Sequence, residues 1–470
     1  MELDSRAMTA KLTESFIQER IGCAERAGRL DPGAGLAVAV VRDGGVVYQG
    51  AFGLRDRARN VAMTTTTLFE TGSLTKTMTA ALFVKAHEEG RLALDEPLAA
   101  RSTRFRLPGT DAARVSIADV LSHRTGMAAH DLIWYLGGYT TSELANRLVR
   151  LEPVPNAFRE AFIYNNLLYG CSSVIVEDVL RRSWEELVTE ELLGPAGMNA
   201  TRLDDVPVDD AALPYSRGAR IERKSVSMVA PAGGARSNVE DLARWAVLQL
   251  GGEESVLGRR ALETMHTRRI DAVGMNPLTL AGLEWLGSPA YGYGWFLGRA
   301  RGHAAVYHMG LIDGFSSLIV LFPDLALGFV VLVSSNMSAF PGALTEELFG
   351  HVMGDPPLGV AAVAPAPAPA PVAAATPARA RTSPAAGIDG VYVDPAYGSI
   401  EVRDGSEGGL CLVYGAHSWP LRFHEPREAE LTVSAFGLEL PMSVAFADDA
   451  VTIPMALDPR VRSRVFVRAR

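Results

Sequence analysis

A run of alanine and proline divides this chain. Residues 358–385 are dominated by these two residue types, which alternate from Ala364 to Val372. Such a segment has too few apolar side chains for a packed core and favours an extended, polyproline-like backbone. With 470 residues, the chain is long enough for more than one domain. We therefore predict a linker at 358–385 between two folded regions, residues 1–357 and residues 386–470.

The composition is that of a globular protein, with 48% hydrophobic and 21% charged residues. A formal net charge of −9 argues against nucleic acid or an anionic membrane surface as a partner. The N-terminus carries acidic residues and no apolar run, so we expect no secretory signal and a cytoplasmic location. Pro323 and Asp324 interrupt the apolar stretch 315–335, which predicts two buried strands joined by a turn and no membrane span.

Strand patterns stand at both ends of the region before the linker. Residues 36–41 and 46–50 flank Asp43-Gly44, a strong signal for a β-hairpin. Further strands are predicted at 305–308, 316–322 and 328–334, and helical patterns fill the middle of the region. The predicted fold class is α+β: an antiparallel sheet assembled from both ends of the region, with helices packed against it.

After the linker, the pattern changes to short strands about eight to twelve residues apart. They are predicted at 399–402, 410–414, 421–424, 430–434, 451–454 and 464–467. So many short strands would leave exposed edges unless the sheet closes on itself. We predict a small all-β barrel for residues 386–470.

Lysine is rare in this chain, and only Lys11, Lys76, Lys85 and Lys224 occur. Lys76 follows Ser73 by three residues at the start of a helical pattern, and residues i and i+3 share one face of a helix. The amine would therefore lie beside the serine hydroxyl. A desolvated amine with a lowered pKa can take the proton of such a nucleophile.

The surroundings of Ser73 favour catalysis over an accidental pair. Gly72 permits a close approach of the backbone, and the free N–H groups of a helix N-terminus favour developing negative charge. The helix itself is mostly apolar from Met78 to Val84, as an exposed helix would not be. Ser73 is the predicted nucleophile.

Three short motifs resemble those of a known family. They are Ser73-Leu74-Thr75-Lys76, Tyr164-Asn165-Asn166 and His308-Met309-Gly310. Their order and spacing are similar to Ser-x-x-Lys, Tyr-x-Asn and Lys/His-x-Gly in penicillin-binding proteins and class C β-lactamases. Residues 120–127, 194–201 and 232–245 also resemble segments of the related CubicO serine hydrolases. The likeness covers residues 25–350, and the tail from residue 390 onward resembles a lipocalin-like module.

The resemblance implies a role for each motif residue. Ser73 would be acylated, while Lys76 and Tyr164 would share the general acid/base role as a coupled pair. Asn166 would orient this cluster or a substrate amide. An asparagine here is also typical of a helix cap, a reading that stays open for Asn165 as well.

The third motif is expected to bind substrate through His308, Gly310 and Leu311. By resemblance, the backbone N–H groups of Ser73 and Leu311 would form the oxyanion hole, and Gly310 would let the substrate backbone approach the strand. His308 replaces the lysine usual in β-lactamases, which argues against a β-lactam substrate. His-x-Gly is similar to the motif of related D-amino-acid-specific peptidases and esterases.

The expected function is acyl-enzyme hydrolysis of a small ester or amide, including a peptide with a D-configured residue. Acyl transfer, as a thioesterase or cyclase of natural-product biosynthesis, is the alternative, and a non-catalytic ligand-binding relative is a second one. The partner would be a small-molecule or peptide acyl substrate, with no cofactor. Dispersed histidines without His-Glu-x-x-His argue against a metal. The C-terminal module carries no motif residue, so we expect it to act on access or on homo-oligomer assembly, or to be passive.

Overall fold

The computed structural model describes residues 14–251, 256–273, 279, 281–355, 382–406, 408–436, 438–455 and 460–469. The chain forms two compact units, one made of residues 1–95 with 179–368 and the other of 96–178 with 369–470. Most of the predicted linker, residues 358–381, lies outside the described residues. The domain boundaries drawn at that linker stay a prediction. The units show in addition that the C-terminal residues pack with residues 96–178.

The first unit is built on an eight-stranded antiparallel sheet. The strands of this unit, in chain order, are β1 (Leu36–Arg42), β2 (Gly45–Phe52), β3 (Leu54–Asp56), β4 (Val61–Ala62), β5 (Phe69–Glu70), β6 (Tyr215–Ser216), β7 (Ala219–Arg220), β8 (Arg236–Ser237), β9 (Ile270–Asp271), β10 (Ala290–Tyr291), β11 (Phe296–Ala300), β12 (His303–Ile312), β13 (Phe315–Phe322) and β14 (Leu327–Val333). The large sheet has the order β2-β1-β14-β13-β12-β11-β10-β9. β1 pairs antiparallel with β14, with Leu36 opposite Val333. The predicted sheet with strands from both ends of the region is confirmed.

Local sequence explains the turns of this sheet. Asp43 and Gly44 close the β1–β2 hairpin with φ values of 49° and 79°, the left-handed conformation that a two-residue loop of this type requires. A short turn at Pro323–Leu325 joins β13 to β14. Both of these strands are buried along their whole length, which confirms the reading of 315–335 as two core strands.

Twelve α-helices occur in the described residues. They are α1 (Glu14–Arg26), α2 (Thr75–Glu88), α3 (Ile117–Leu121), α4 (Asp131–Leu136), α5 (Thr141–Arg147), α6 (Asn166–Gly170), α7 (Ser172–Leu180), α8 (Trp184–Val188), α9 (Ala230–Gly233), α10 (Val239–Gln249), α11 (Arg259–Met265) and α12 (Phe340–Met353). In the first unit, α10 packs on β1, β2 and β14, while α12 packs on β13 and β14. α2 packs against α8, α9 and α11. No helix in the described part of the chain is long and apolar enough to cross a membrane.

The second unit joins helices α3 to α6 and residues 172–178 of α7 to a nine-stranded antiparallel sheet. Its strands are β15 (Gly390–Asp394), β16 (Gly398–Asp404), β17 (Leu410–Tyr414), β18 (His417–Pro420), β19 (Arg422–Glu425), β20 (Glu428–Ala435), β21 (Leu438–Phe446), β22 (Ala450–Ile453) and β23 (Arg464–Arg468). The order β18-β17-β16-β15-β23-β22-β21-β20-β19 gives a nearly closed, barrel-like sheet. Strictly alternating burial along β20 is typical of a strand with one face inside such a barrel. The predicted all-β barrel is confirmed, and its likeness to lipocalins stays a prediction.

Candidate active site

Ser73 lies in a 3₁₀ turn, Gly72–Leu74, directly before α2. Neighbouring threonines fix this turn. The Thr75 hydroxyl donates to the Gly72 carbonyl at 2.7 Å and accepts from the Ala235 N–H at 3.0 Å. Thr71 donates to the Ala235 carbonyl through both its N–H and its hydroxyl. Ser73 is therefore held on a backbone whose position is set by hydrogen bonds to a distant part of the chain.

Lys76 is in contact with Ser73. Its Nζ lies 3.0 Å from Ser73 Oγ and donates to the Ala232 carbonyl at 2.7 Å. The lysine side chain is fully buried, whereas Ser73 is partly exposed. Burial keeps bulk water from competing for a proton passed between the two groups, and the Ala232 carbonyl fixes the amine beside the hydroxyl.

Buried threonines of α2 set the rotation of this helix. Trp245 donates its indole N–H to Thr77 Oγ1 at 2.9 Å, and Trp184 donates to Thr79 Oγ1 at 3.1 Å. Thr79 in turn donates to the Pro231 carbonyl at 2.8 Å. Because a helix rotated about its axis would break these contacts, they keep Lys76 pointed toward the serine.

The end of β12 runs beside the turn that carries Ser73. A Cβ added at Gly72, where φ is +53°, would lie 3.3 Å from the backbone nitrogen of Leu311. A Cβ added at Gly310 would lie only 2.0 Å from the Thr71 carbonyl oxygen, and that carbonyl accepts the Ser317 hydroxyl at 2.7 Å. The close approach that Gly310 permits in the structure is thus made by the chain's own backbone.

His308 is a neutral, buried member of the same strand. Its Nδ1 lies 2.7 Å from the Met309 carbonyl and its Nε2 lies 3.1 Å from the Tyr291 hydroxyl. The carbonyl can only accept, so Nδ1 carries the hydrogen and Nε2 accepts from Tyr291. Burial, aided by the charge of Lys76, lowers the pKa of His308 to about 3. The third motif therefore carries no positive charge at neutral pH.

Tyr164 and Asn166 lie in the second unit, immediately before and at the start of α6. The Tyr164 ring packs on the His123 ring, with the centroids 4.4 Å apart and the planes 39° apart. His123 Nδ1 accepts the backbone N–H of Asn165 at 3.2 Å, and the His123 carbonyl accepts from Ile163. The histidine thus supports the backbone on both sides of Tyr164.

The two asparagines of the second motif have different tasks. Asn165 caps α6, since its Oδ1 accepts from the Leu168 N–H at 2.9 Å, and its Nδ2 donates to the Ala128 carbonyl at 2.9 Å. Asn166 is the first residue of α6 and donates to Asp131 Oδ1 at 3.2 Å. The cap is therefore Asn165, and the amide of Asn166 is anchored to α4.

Several residues that support the site received no role from the sequence. Ala232 and Ala235 act through backbone atoms, which leave no trace in residue type. Tyr291 precedes the third motif by many residues and meets His308 only because β10 and β12 lie in one sheet. His123 stands in one of the segments that resemble the CubicO hydrolases, so its place in that segment was the only signal.

Comparison with known proteins identifies the family. The family model described as Beta-lactamase matches residues 29–348. The chain belongs to the beta-lactamase family. The resemblance read from the three motifs is thereby confirmed at the level of the family.

Two similar proteins share about a quarter of their residues with this chain over the aligned regions. The unguisins hydrolase ungD' of Aspergillus campestris is 27% identical over 356 residues, which cover 70% of this chain and 62% of that protein. Protein flp of Staphylococcus aureus is 25% identical over 332 residues, covering 67% of this chain and 62% of its own length. The chain therefore spans about 62% of the length of these relatives.

Solved structures with a similar fold align with 99% of this chain. The octameric penicillin-binding protein homologue from Pyrococcus abyssi has a TM-score of 0.60 at 21% identity, covering 99% of this chain and 100% of its own. SurE has the same TM-score and identity, with 99% of both chains covered. The likeness extends beyond the beta-lactamase region to the C-terminal sheet.

Proposed function

We propose that this member of the beta-lactamase family is an acyl-enzyme serine hydrolase with Ser73 as its nucleophile. The observation that carries the proposal is the 3.0 Å contact between Lys76 Nζ and Ser73 Oγ, made by a fully buried lysine that is also held by the Ala232 carbonyl. A serine hydroxyl is a weak nucleophile until an adjacent base accepts its proton. Lys76 is the proposed base.

The reaction proceeds in two halves. Ser73 Oγ attacks the substrate carbonyl carbon while its proton passes to the Lys76–Tyr164 pair, and the carbonyl oxygen becomes an oxyanion. The N–H groups of Ser73 and Leu311 are the proposed donors to that oxyanion. Collapse breaks the bond to the leaving group, which takes the proton. Water then attacks the acyl-serine ester and gives a proton to the same pair. The bond between the acyl carbon and Ser73 Oγ breaks, the pair returns the proton to Ser73 Oγ, and the acid leaves.

The roles proposed for Tyr164 and Asn166 are supported by the order of the three motifs in the sequence. Tyr164 would share the proton with Lys76, and Asn166 would orient the substrate amide. The His123 ring and the Asp131 carboxylate that hold these two side chains give each a defined position within its unit.

The substrate class proposed is a small ester or an amide, including a peptide with a D-configured residue. A neutral His308 provides no cation for the carboxylate that β-lactams carry, so β-lactam hydrolysis is not proposed. Two comparisons fit the proposed class: the fungal relative is named a hydrolase of unguisins, and a solved structure of SurE contains D-Leu. Efficient turnover of nitrocefin would contradict this class.

Labelling with a fluorophosphonate tests the proposal. Intact-mass spectrometry should show one adduct on the wild-type chain and none on Ser73→Ala. Ser335→Ala is the matched control, because Ser335 is a buried serine of the same unit outside the motifs. An adduct that persists in Ser73→Ala would refute the nucleophile, and a wild-type chain that never labels would favour the non-catalytic alternative. Product analysis with an added amine separates hydrolysis from acyl transfer.

A further inference from the structure

One turn of the C-terminal sheet contacts the helical residues of the same unit. It joins β15 to β16 and is folded by Asp394, whose Oδ1 accepts the backbone N–H groups of Ala396 and Tyr397 at 2.8 and 2.7 Å. Arg464 on β23 donates to Asp394 Oδ2 at 2.9 Å and to the two carboxylate oxygens of Glu152 at 2.7 and 2.6 Å. Tyr397, at the end of this turn, is therefore placed with little freedom.

The Tyr397 hydroxyl makes two hydrogen bonds, and the donor and acceptor of each can be assigned. It donates to the Met455 carbonyl at 2.8 Å, and a hydroxyl has one hydrogen to give. The 2.9 Å contact with His130 Nδ1 is therefore an N–H donated by the histidine to the phenol oxygen. Both side chains are fully buried. Burial raises the pKa of Tyr397 far above its usual range, so the phenol stays protonated.

His130 lies within the segment, residues 128–131, that holds the second motif. The next residue, Asp131, accepts the amide of Asn166 at 3.2 Å, and the preceding Ala128 carbonyl accepts the amide of Asn165 at 2.9 Å. Residues 128–131 thus hold both asparagines, and Tyr397 fastens the same segment from the C-terminal sheet.

We propose that Tyr397 is a positioning residue for Asn166, acting through His130 and Asp131. The C-terminal sheet, which holds no motif residue, then sets the position of an active-site amide. The proposal rests on the acyl-enzyme function above, because the position of Asn166 affects the rate only if Asn166 takes part in that chemistry.

The test compares two phenols of the same sheet in the full chain. Tyr397→Phe removes the acceptor of the His130 N–H and the donor to the Met455 carbonyl. Tyr392→Phe also removes two hydrogen bonds, one donated to the Ile388 carbonyl at 2.7 Å and one accepted from Arg468 Nη2 at 2.6 Å, both inside the C-terminal segment. Loss of one buried hydrogen bond corresponds to about a five- to tenfold change. We expect Tyr397→Phe to lower kcat for p-nitrophenyl acetate by that factor with little change in KM. Tyr392→Phe should keep kcat within about twofold at a similar loss of Tm.

A double-mutant cycle shows whether the effect passes through Asn166. On an Asn166→Ala background, Tyr397→Phe should lower kcat by less than about twofold, since the residue it positions is already gone. Equal kcat losses in Tyr397→Phe and Tyr392→Phe, or independent multiplicative losses in the cycle, would overturn the proposal.

Two variants test the same contact from the other side, should Tyr397→Phe fail to fold. His130→Asn keeps an N–H donor near the Nδ1 position and should stay close to wild type, whereas His130→Leu should show the loss expected of Tyr397→Phe. Equal kcat values for these two variants would also overturn the proposal. Ser73→Ala distinguishes failure of the proposed function from failure of the positioning role. Activity that survives in Ser73→Ala refutes the proposed function. An inactive Ser73→Ala together with a wild-type kcat in Tyr397→Phe refutes only the positioning role.

Discussion

Lys76 is a fully buried lysine, and burying a charged side chain is unfavourable unless the group is hydrogen-bonded or paired. Its contacts with Ser73 and the Ala232 carbonyl provide hydrogen bonds in the folded chain. In the proposed reaction, Lys76 must first accept a proton and later return it. Tyr164 is proposed to share this general acid/base role.

We expect Lys76→Ala and Tyr164→Phe each to lower kcat by about 10² to 10⁴, the range usual for positioned acid/base groups. The double variant should lose little more than either single variant, because each change disables the same proton relay. Single-turnover acylation with an activated ester measures this. Lys85→Ala is the control, since Lys85 lies on the same helix and pairs with Glu89 near the surface. Multiplicative losses would show that the two groups act independently.

His308 should make the protein sensitive to acid. Its folded-state pKa of about 3 lies below the ordinary 6.5, so the unfolded chain binds a proton that the folded chain refuses. The stability that follows is complete above pH 6.5 and is lost as pH falls toward 3. When the pH is lowered from 6 to 4, the unfolding free energy of both proteins should fall. The fall should be smaller in His308→Gln than in wild type, by on the order of 2 kcal/mol.

Urea unfolding at several pH values checks the acid prediction. His266→Gln is the matched control, because burial also lowers the pKa of His266, to about 4, at a position outside the motifs. His266→Gln should also make the unfolding free energy less dependent on pH, and it should leave the proposed hydrolase activity unchanged. Unchanged pH slopes in both variants would contradict the assignment of neutral, buried histidines.

Among the elements, the end of β12 and the Ser73 turn lie in close contact. A Cβ at position 310 would meet the Thr71 carbonyl at 2.0 Å and the Ser317 hydroxyl at 2.3 Å. Gly310→Ala must therefore push the strand away from the turn. We expect about 1–3 kcal/mol of destabilisation and, because misplacement by about 1 Å can cost about 10²-fold, a comparable loss of kcat.

Gly258→Ala is the control for this change, since nothing lies within 4 Å of a Cβ added there. Thermal unfolding and ester hydrolysis of both variants are the measurements. A Gly310→Ala enzyme with wild-type kcat would mean that the strand and the turn can separate without harm to the site.

The elements also show what sequence can and cannot predict. The β1–β2 hairpin and the β13–β14 pair were predictable because turn residues and apolar runs are local signals. β21 was missed because Pro441 interrupts it, and β18 because His417–Pro420 is short and polar. The contact between Lys76 and Ser73 was predictable from their spacing. The Ala232 carbonyl that holds Lys76 and the Tyr291 hydroxyl that bonds His308 were not, because they become neighbours of these residues only after folding.

At the scale of the whole molecule, the grouping of residues 96–178 with the C-terminal sheet could not be predicted from the sequence. The linker marks a boundary in composition, but Glu152, Asp394 and Arg464 are too far apart in the chain for any local pattern to join them. Their contacts make the C-terminal sheet part of a larger unit.

Arg464 should therefore be a major stabilising residue of the second unit. Its side chain and that of Asp394 are 8% and 4% exposed, so Arg464→Ala leaves a buried carboxylate without its cation, a change that costs about 3–5 kcal/mol. Arg427→Ala, which breaks an exposed pair with Asp448, should cost less than about 1 kcal/mol. Urea unfolding of both variants is the measurement. Adding Asp394→Asn to Arg464→Ala should recover part of the loss, because an amide still accepts the N–H groups of the turn but carries no charge. Equal, small losses in Arg464→Ala and Arg427→Ala would show that the buried pair does not hold this unit together.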